Sequence, residues 1–312
     1  LMLWGFFKKK VIADRALPLV EQVFGNQSQY GGAVIVVGVL FYSLQQYADF
    51  SGGIDLVTGI AQLFGIELAP NFKRPYFSVS LGDFWRRWHI SLGAWMRDYV
   101  FYPFALTKPM ARMSKALKTR VNPQIARALP AALGNVLVFL LVGIWHGAQM
   151  NYVLWGLYNG LILAFTSLVE PAYKKMNERL PRLTASKGFH MFRILRTFLV
   201  VNIGWYFDRC VRASDAFAML HKTLFSFDIW QLFDGTLGSL GLAAKDYRVL
   251  LIATLILFAV SLLQERGVKI RDGLFSMPLA LRWVILYAFM LFVLATFGGS
   301  NVADAGFMYA VF

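Results

Sequence analysis

The chain has 312 residues, of which 58% are hydrophobic, 16% aromatic and only 15% charged. Soluble domains carry about a quarter charged residues, so this deficit of solvated surface excludes an ordinary water-soluble globule and points to lipid as the solvent. The net charge of +14 does not point to nucleic acid, because the basic residues fall between apolar stretches, as in cytoplasmic loops facing anionic headgroups.

The opening Leu1-Met2-Leu3-Trp4 lacks the basic start and small-residue cleavage site of a signal peptide. Its basic run, Lys8-Lys9-Lys10, follows the apolar residues instead of preceding them. The expectation is a chain that starts inside a longer protein, with an apolar face left where earlier helices would pack.

Apolar runs at 31–48, 130–146, 151–169, 191–207, 247–263 and 281–298 approach the roughly 20 residues that a helix needs to cross hydrocarbon. Their lack of period-2 alternation selects helices over a barrel. The shorter run 54–66 reads as a buried or re-entrant segment. Before it, Phe50-Ser51-Gly52-Gly53 reads as a flexible turn bracketed by Asp49 and Asp55. These two acids are placed to cap the following helix or to orient a catalytic group.

From Phe84 to Phe104 the pattern changes. Trp85, Trp88, Leu92, Met96 and Tyr99 follow helical spacing, with Arg86 and Arg97 on another face and Pro103 at the end. This predicts an amphipathic helix at or inside the membrane interface. Arg86-Arg87 suits a phosphate or a lipid headgroup. Asp98 suits a pair with Arg97, a backbone donor or a catalytic neighbour.

One basic loop carries Lys108, Arg112, Lys115, Lys118, Arg120 and Arg127, and another carries Lys174, Lys175, Arg179, Arg182, Lys187, Arg193 and Arg196. They flank the runs 130–146 and 151–169, so the positive-inside rule puts both in the cytoplasm. The turn 147–151 then lies on the far side or deep in the bundle. The fold class is therefore all-α, a multi-span transmembrane helical bundle with amphipathic or re-entrant helices, in one integral membrane domain over 1–312.

Ionisable groups inside spans are costly, which makes His146 the first chemical candidate. It ends the apolar run Val136 to Trp145, with Asn135, Gln149, Asn151 and Asn159 as nearby polar groups. The plain alternative is a histidine at a helix end, satisfied by a carbonyl or water. A neutral imidazole, with an ordinary pKa of about 6.5, can take a proton from a hydroxyl near neutral pH. His89 is the second candidate, against an interfacial histidine beside Trp88. His190 and His221 fall in or beside polar loops and read as solvated. Cys210, the single cysteine, excludes an intrachain disulfide and a cysteine-cluster metal site. The sequence contains no Gly-x-Ser-x-Gly elbow, no His-Glu-x-x-His and no phosphate-binding glycine loop.

Asp83-Phe84-Trp85-Arg86-Arg87-Trp88-His89-Ile90-Ser91-Leu92, followed by Trp95-Met96-Arg97-Asp98-Tyr99, resembles a signature of the membrane-bound O-acyltransferase family, in its bacterial alginate O-acetyltransferase type. Gly143-Ile144-Trp145-His146-Gly147-Ala148 looks like the family's catalytic histidine motif, 57 positions after His89. Trp155-Gly156-Leu157-Tyr158-Asn159-Gly160 is similar to the segment that follows it. Phe7 to Asp14 and Tyr47 to Gly52 are similar to upstream landmarks, and Gly306 to Phe312 looks like the family's aromatic end. The chain departs from the pattern at Gly53-Ile54-Asp55, where members often read Tyr-Ser-Asp, and at Asn159, where many carry His.

The resemblance implies acyl transfer, of acetyl above all, from a cytoplasmic thioester to a hydroxyl across the membrane. His146 would be the general base and His89 its assistant. Trp85, Trp88 and Trp145 would wall a central tunnel and keep water from the thioester, with Arg86 and Asn159 along the donor's path and Asp49 and Asp98 orienting. No metal or bound cofactor is implied. The donor would be acyl-coenzyme A or an acyl-carrier thioester, and the acceptor an exported polysaccharide or an extracytoplasmic partner acyltransferase. Membrane lipids would surround a multi-pass protein of the bacterial cell membrane. The alternatives are D-alanyl transfer to teichoic acid, a non-enzymatic polytopic transporter using His146 and the aspartates as a proton relay, and an export scaffold.

Overall fold

The computed structural model describes residues 1–120, 123–297 and 306, and these are helical apart from connections and one isolated bridge, Phe72 with Trp88. The aromatic motif at 307–312 and the last residue of the run 281–298 lie outside the described residues. In chain order the helices are α1 (Met2–Phe6), α2 (Asp14–Gly25), α3 (Gly32–Leu63), α4 (Leu81–Arg87), α5 (Ile90–Met96), α6 (Tyr102–Ala105), α7 (Lys108–Arg120) and α8 (Pro123–His146). Then follow α9 (Met150–Arg179), α10 (Pro181–Thr184), α11 (Lys187–Arg209), α12 (Ala213–Phe225), α13 (Ala244–Glu265), α14 (Ile270–Phe275) and α15 (Leu279–Thr296). Among the described residues, α3, residues 128–146 of α8, α9, α13 and α15 are long and apolar enough to cross a membrane. The run 191–207, expected as another span, forms α11, but Arg193, Arg196, Asp208 and Arg209 in and beside it keep that helix outside this set.

The chain divides into two compact units, residues 70–217 and the remainder. In the unit built from the chain ends, α1 continues through a π-helical stretch, Phe7–Ala13, into α2. The π-helix is wider than an α-helix and is rare outside special sites. Here it carries Lys8 and Lys9, which are only 4% and 3% exposed. Lys8 reaches Asp55 at 2.8 Å, and Lys9 reaches Asp49 at 2.6 Å and Asp14 at 2.7 Å. Lys10 joins Asp14 at 3.0 Å, and Arg15 pairs with Asp246 of α13. Burying charge is tolerable only when it is paired in this way.

That network corrects two expectations. The segment 49–55 is not a turn but the interior of α3, and 54–66 is mostly the end of that helix and not a re-entrant piece. Breaking a helix among apolar neighbours would strand backbone polar groups, so continuity wins. The glycines serve close approach: a Cβ on Gly5 would sit 2.7 Å from the Gly52 carbonyl oxygen. Asp49 and Asp55 therefore cap nothing and instead neutralise lysines.

In the unit 70–217, α8 and α9 form an antiparallel hairpin whose backbones touch through small residues, the usual device where lipid supplies no hydrophobic drive. A Cβ on Gly143 would lie 2.4 Å from the Tyr152 carbonyl oxygen, and one on Gly156 would lie 2.3 Å from that of Phe139. Gly156→Ala is accordingly expected to lower stability by about 1–3 kcal/mol, read as a drop in unfolding midpoint of the detergent-solubilised full-length protein. An unchanged midpoint would show that the helices separate at no cost.

The first basic loop is largely helical, because Ala, Met, Leu, Lys and Arg in α7 are strong helix formers. The expected amphipathic helix over 84–104 is broken into α4, α5, a π-helical turn Arg97–Phe101 and α6. Its first break falls at His89, whose φ is +46°. Pro103 lies in the last turn of this helical run, which passes from α5 through the π-helical turn into α6 and ends at Ala105, near where Pro103 was expected to end it.

Candidate active site

Helix α4 is held at its start by reciprocal capping. Ser80 Oγ accepts from the Asp83 N–H at 3.1 Å, and Asp83 Oδ2 accepts from the Val79 N–H at 3.2 Å. Arg87 Nε lies 3.3 Å from the same carboxylate. This fixes the face that carries Phe84, Trp85 and Trp88. Beyond it, an extended strap runs alongside the break. The Lys73 N–H donates to the Arg87 carbonyl at 2.9 Å, and the Ile90 N–H donates to the Asn71 carbonyl at 3.1 Å. The left-handed conformation at His89, uncommon for a non-glycine residue, is held by these bonds.

His146 is the last residue of α8. Its ring lies edge-on to Trp155 at 5.2 Å and to Trp145 at 5.0 Å, and stacks on Tyr152 at 6.1 Å. From there aromatic rings form a continuous path. Trp155 meets Trp85 at 5.6 Å, Trp85 meets Phe84 at 5.1 Å, and Phe84 stacks on Trp88 at 5.5 Å. Trp88 is the neighbour of His89. The two histidines are close enough that a charge on His146 acts on the other ring. Burial first, and that charge second, hold the His89 imidazole well below its ordinary pKa, so it is neutral at pH 7.

Several expected members take other places. His146 is half-buried and packed on α9. Trp145 is 47% exposed. Consecutive helical residues point about 100° apart, so Trp145 does not share the contact of His146 with Trp155, although its ring stays edge-on to the imidazole. The Arg86 side chain is 73% exposed and leans on Asp83 at 3.6 Å. Asp98 pairs with Arg97 at 2.9 Å on the surface, and Asp49 is engaged by Lys9. Neither acid orients a histidine through these contacts.

Trp85, Trp88 and Asn159 lie along the same path of rings as His146. Asn159 is 3% exposed; its Nδ2 donates to the Trp155 carbonyl at 2.9 Å and its Oδ1 accepts from the Trp85 indole at 3.2 Å. It thus ties the Trp85 ring to the backbone of α9. Asn159→Leu would leave the indole N–H unsatisfied, with an expected loss of about 1–3 kcal/mol. Chemical denaturation of the full-length protein checks this, and no loss would mean that the indole finds another acceptor. Sequence reasoning missed as members of this path Trp155, which is 2% exposed, and Trp205, whose ring lies 5.7 Å from that of Trp88. The signal for Trp155 was available: it sits one helical turn before Asn159 on the same face of α9.

The family profile of the membrane-bound O-acyltransferases matches residues 127–204, which include His146 and the α8–α9 hairpin. A probable alginate O-acetylase of Pseudomonas syringae is 34% identical over 256 residues, 82% of this chain and 44% of that protein. A peptidoglycan O-acetyltransferase of Helicobacter pylori is 31% identical over 69% of this chain and 36% of its own length. A teichoic acid D-alanyltransferase of Bacillus subtilis is 32% identical over 53% of this chain and 38% of its own length. The chain thus spans less than half the length of these curated relatives. With its apolar helices and its two histidine motifs, it is a multi-pass membrane protein that belongs to the membrane-bound O-acyltransferase family.

Proposed function

We propose that the protein of which this chain is part transfers an acyl group, acetyl in the first instance, from a thioester to a hydroxyl of an envelope polysaccharide or of a partner acyltransferase. The observation that carries this reading is the juxtaposition of His89 and His146 along one wall of tryptophans. The His146 imidazole takes the proton of the acceptor hydroxyl while its oxygen forms a bond to the thioester carbonyl carbon. The C–S bond then breaks, the acyl group stays on oxygen, and the thiolate leaves to be protonated. The rings around His146 exclude water, which would otherwise hydrolyse the thioester. Trp85 and Trp88 form that wall, and His89 assists from beside Trp88.

In this reading the basic helix α7 and the basic end of α9 face the cytoplasm of a bacterial cell, as does the donor, acyl-coenzyme A or an acyl-carrier thioester. The test is a vesicle assay on the full-length protein. Labelled acetyl-coenzyme A is supplied on one face and a hydroxyl-bearing uronate oligosaccharide, with or without a partner acyltransferase, on the other. Label should appear as an O-acetyl ester on the acceptor side. Recovery of label only as intact thioester or free acetate would contradict the proposal. The relatedness to a D-alanyltransferase supports a second reading, in which a D-alanyl carrier thioester outcompetes the acetyl donor in the same assay.

A further inference from the structure

The strap that holds the break at His89 also touches the imidazole. Asn71 Oδ1 accepts from the Ser91 N–H at 3.1 Å and from the Ser91 hydroxyl at 2.6 Å, and it lies 3.3 Å from His89 Nδ1. Side-chain amides can be turned end for end, so the identity of this atom needs an argument. The backbone N–H of Ser91 supplies one, because it can only donate and so requires an oxygen opposite it. The atom facing His89 Nδ1 is therefore an acceptor, and Nδ1 must carry a proton to bond with it. In a neutral imidazole the other nitrogen, Nε2, then holds the lone pair.

We propose that Asn71 is a positioning residue: it fixes His89 in the Nδ1–H tautomer, so that Nε2 faces the reaction as a hydrogen-bond acceptor and not as a donor. This rests on the reading of His89 as part of the acyl-transfer site. The same arrangement explains why a histidine sits in a left-handed backbone conformation. The φ of +46° at His89, the bridge between Phe72 and Trp88 and the bond from the Ile90 N–H to the Asn71 carbonyl together bring the ring to the Asn71 amide. A ring donating from Nε2 would polarise a carbonyl oxygen. A ring accepting at Nε2 instead holds a hydroxyl or thiol proton, and Asn71 selects the second.

The experiment is nitrogen NMR of the full-length protein in lipid nanodiscs, with histidines labelled at both ring nitrogens. The His89 signals are assigned by their loss in His89→Gln. Wild-type protein should show the protonated nitrogen of His89 to be Nδ1. Asn71→Ala should mix the two tautomers and lower turnover about 10–100-fold, by analogy with the loss on removing the partner that orients a metal-bound imidazole. Asn71→Asp keeps the acceptor oxygens and should keep the Nδ1–H tautomer. A wild-type His89 protonated at Nε2, or an unmixed Nδ1–H tautomer in folded Asn71→Ala, would overturn the proposal. Because the wild-type spectrum alone decides the tautomer, a failure of Asn71→Ala to fold does not leave the question open. Expected tautomers together with full turnover in His89→Gln would instead overturn the role of His89 in catalysis, leaving the tautomer assignment standing.

Discussion

Arg15→Met is expected to cost the full-length protein about 3–5 kcal/mol of stability, because it leaves the carboxylate of Asp246 buried without its partner. Arg15 is 2% exposed and Asp246 is 4% exposed, and the second arm of the guanidinium donates to the Thr296 carbonyl. In such a place the missing counter-charge costs more than the pair itself contributes. Removing both charges, as in Arg15→Met with Asp246→Leu, should therefore restore most of the loss. A residual of about 1 kcal/mol is expected, since the Asp246 carboxylate also accepts from the Ala243 N–H at the start of α13. Unfolding curves in detergent report both variants. Equal losses in the single and double variants would show that the uncompensated charge is not what destabilises the protein. Lys9→Met is expected to behave like the single variant, because it withdraws the ammonium shared by Asp14 and Asp49.

His146→Ala is expected to lower the rate of the chemical step by about 10²–10⁴-fold, the ordinary contribution of a positioned general base. The ring is held on three sides, by Trp145, Tyr152 and Trp155, and none of these groups can take a proton from a hydroxyl near neutral pH. His89→Ala should lose less, since in this account His89 holds the proton's path and does not receive the proton. Single-turnover rates of acyl transfer distinguish the two variants. Equal and complete losses in folded protein would show that the histidines act as one unit and that the division of labour is wrong.

Much of this was legible in the sequence, for identifiable reasons. Apolar runs such as 130–146 and 151–169 give helices because lipid permits few other backbones. His146 stands out because a histidine in apolar surroundings is expensive, and the segment around His89 stands out through its resemblance to the family's signature. What escaped was pairing at long range. Lys8, Lys9 and Lys10 read only as a basic run after apolar residues, since nothing local reveals that Asp14, Asp49 and Asp55 come to meet them. Gly52-Gly53 read as a turn because glycine marks both turns and close helix contacts, and only the helix packed on it decides which. The break at His89 escaped because Trp85, Trp88, Leu92 and Met96 keep helical spacing across it. The strap that creates it comes from Asn71 to Lys73, well upstream.

The central claim is that His146 accepts the proton of the attacking hydroxyl, and His146→Gln tests it most directly. Glutamine retains a hydrogen bond but cannot accept the proton. The measurement is the single-turnover transfer of a labelled acetyl group from its thioester to a hydroxyl acceptor by the full-length protein, made beside a measurement of donor binding. The account predicts donor binding close to wild type and transfer reduced nearly as far as in His146→Ala. Transfer near the wild-type rate in His146→Gln would contradict it, and would show that His146 orients its neighbours without taking a proton.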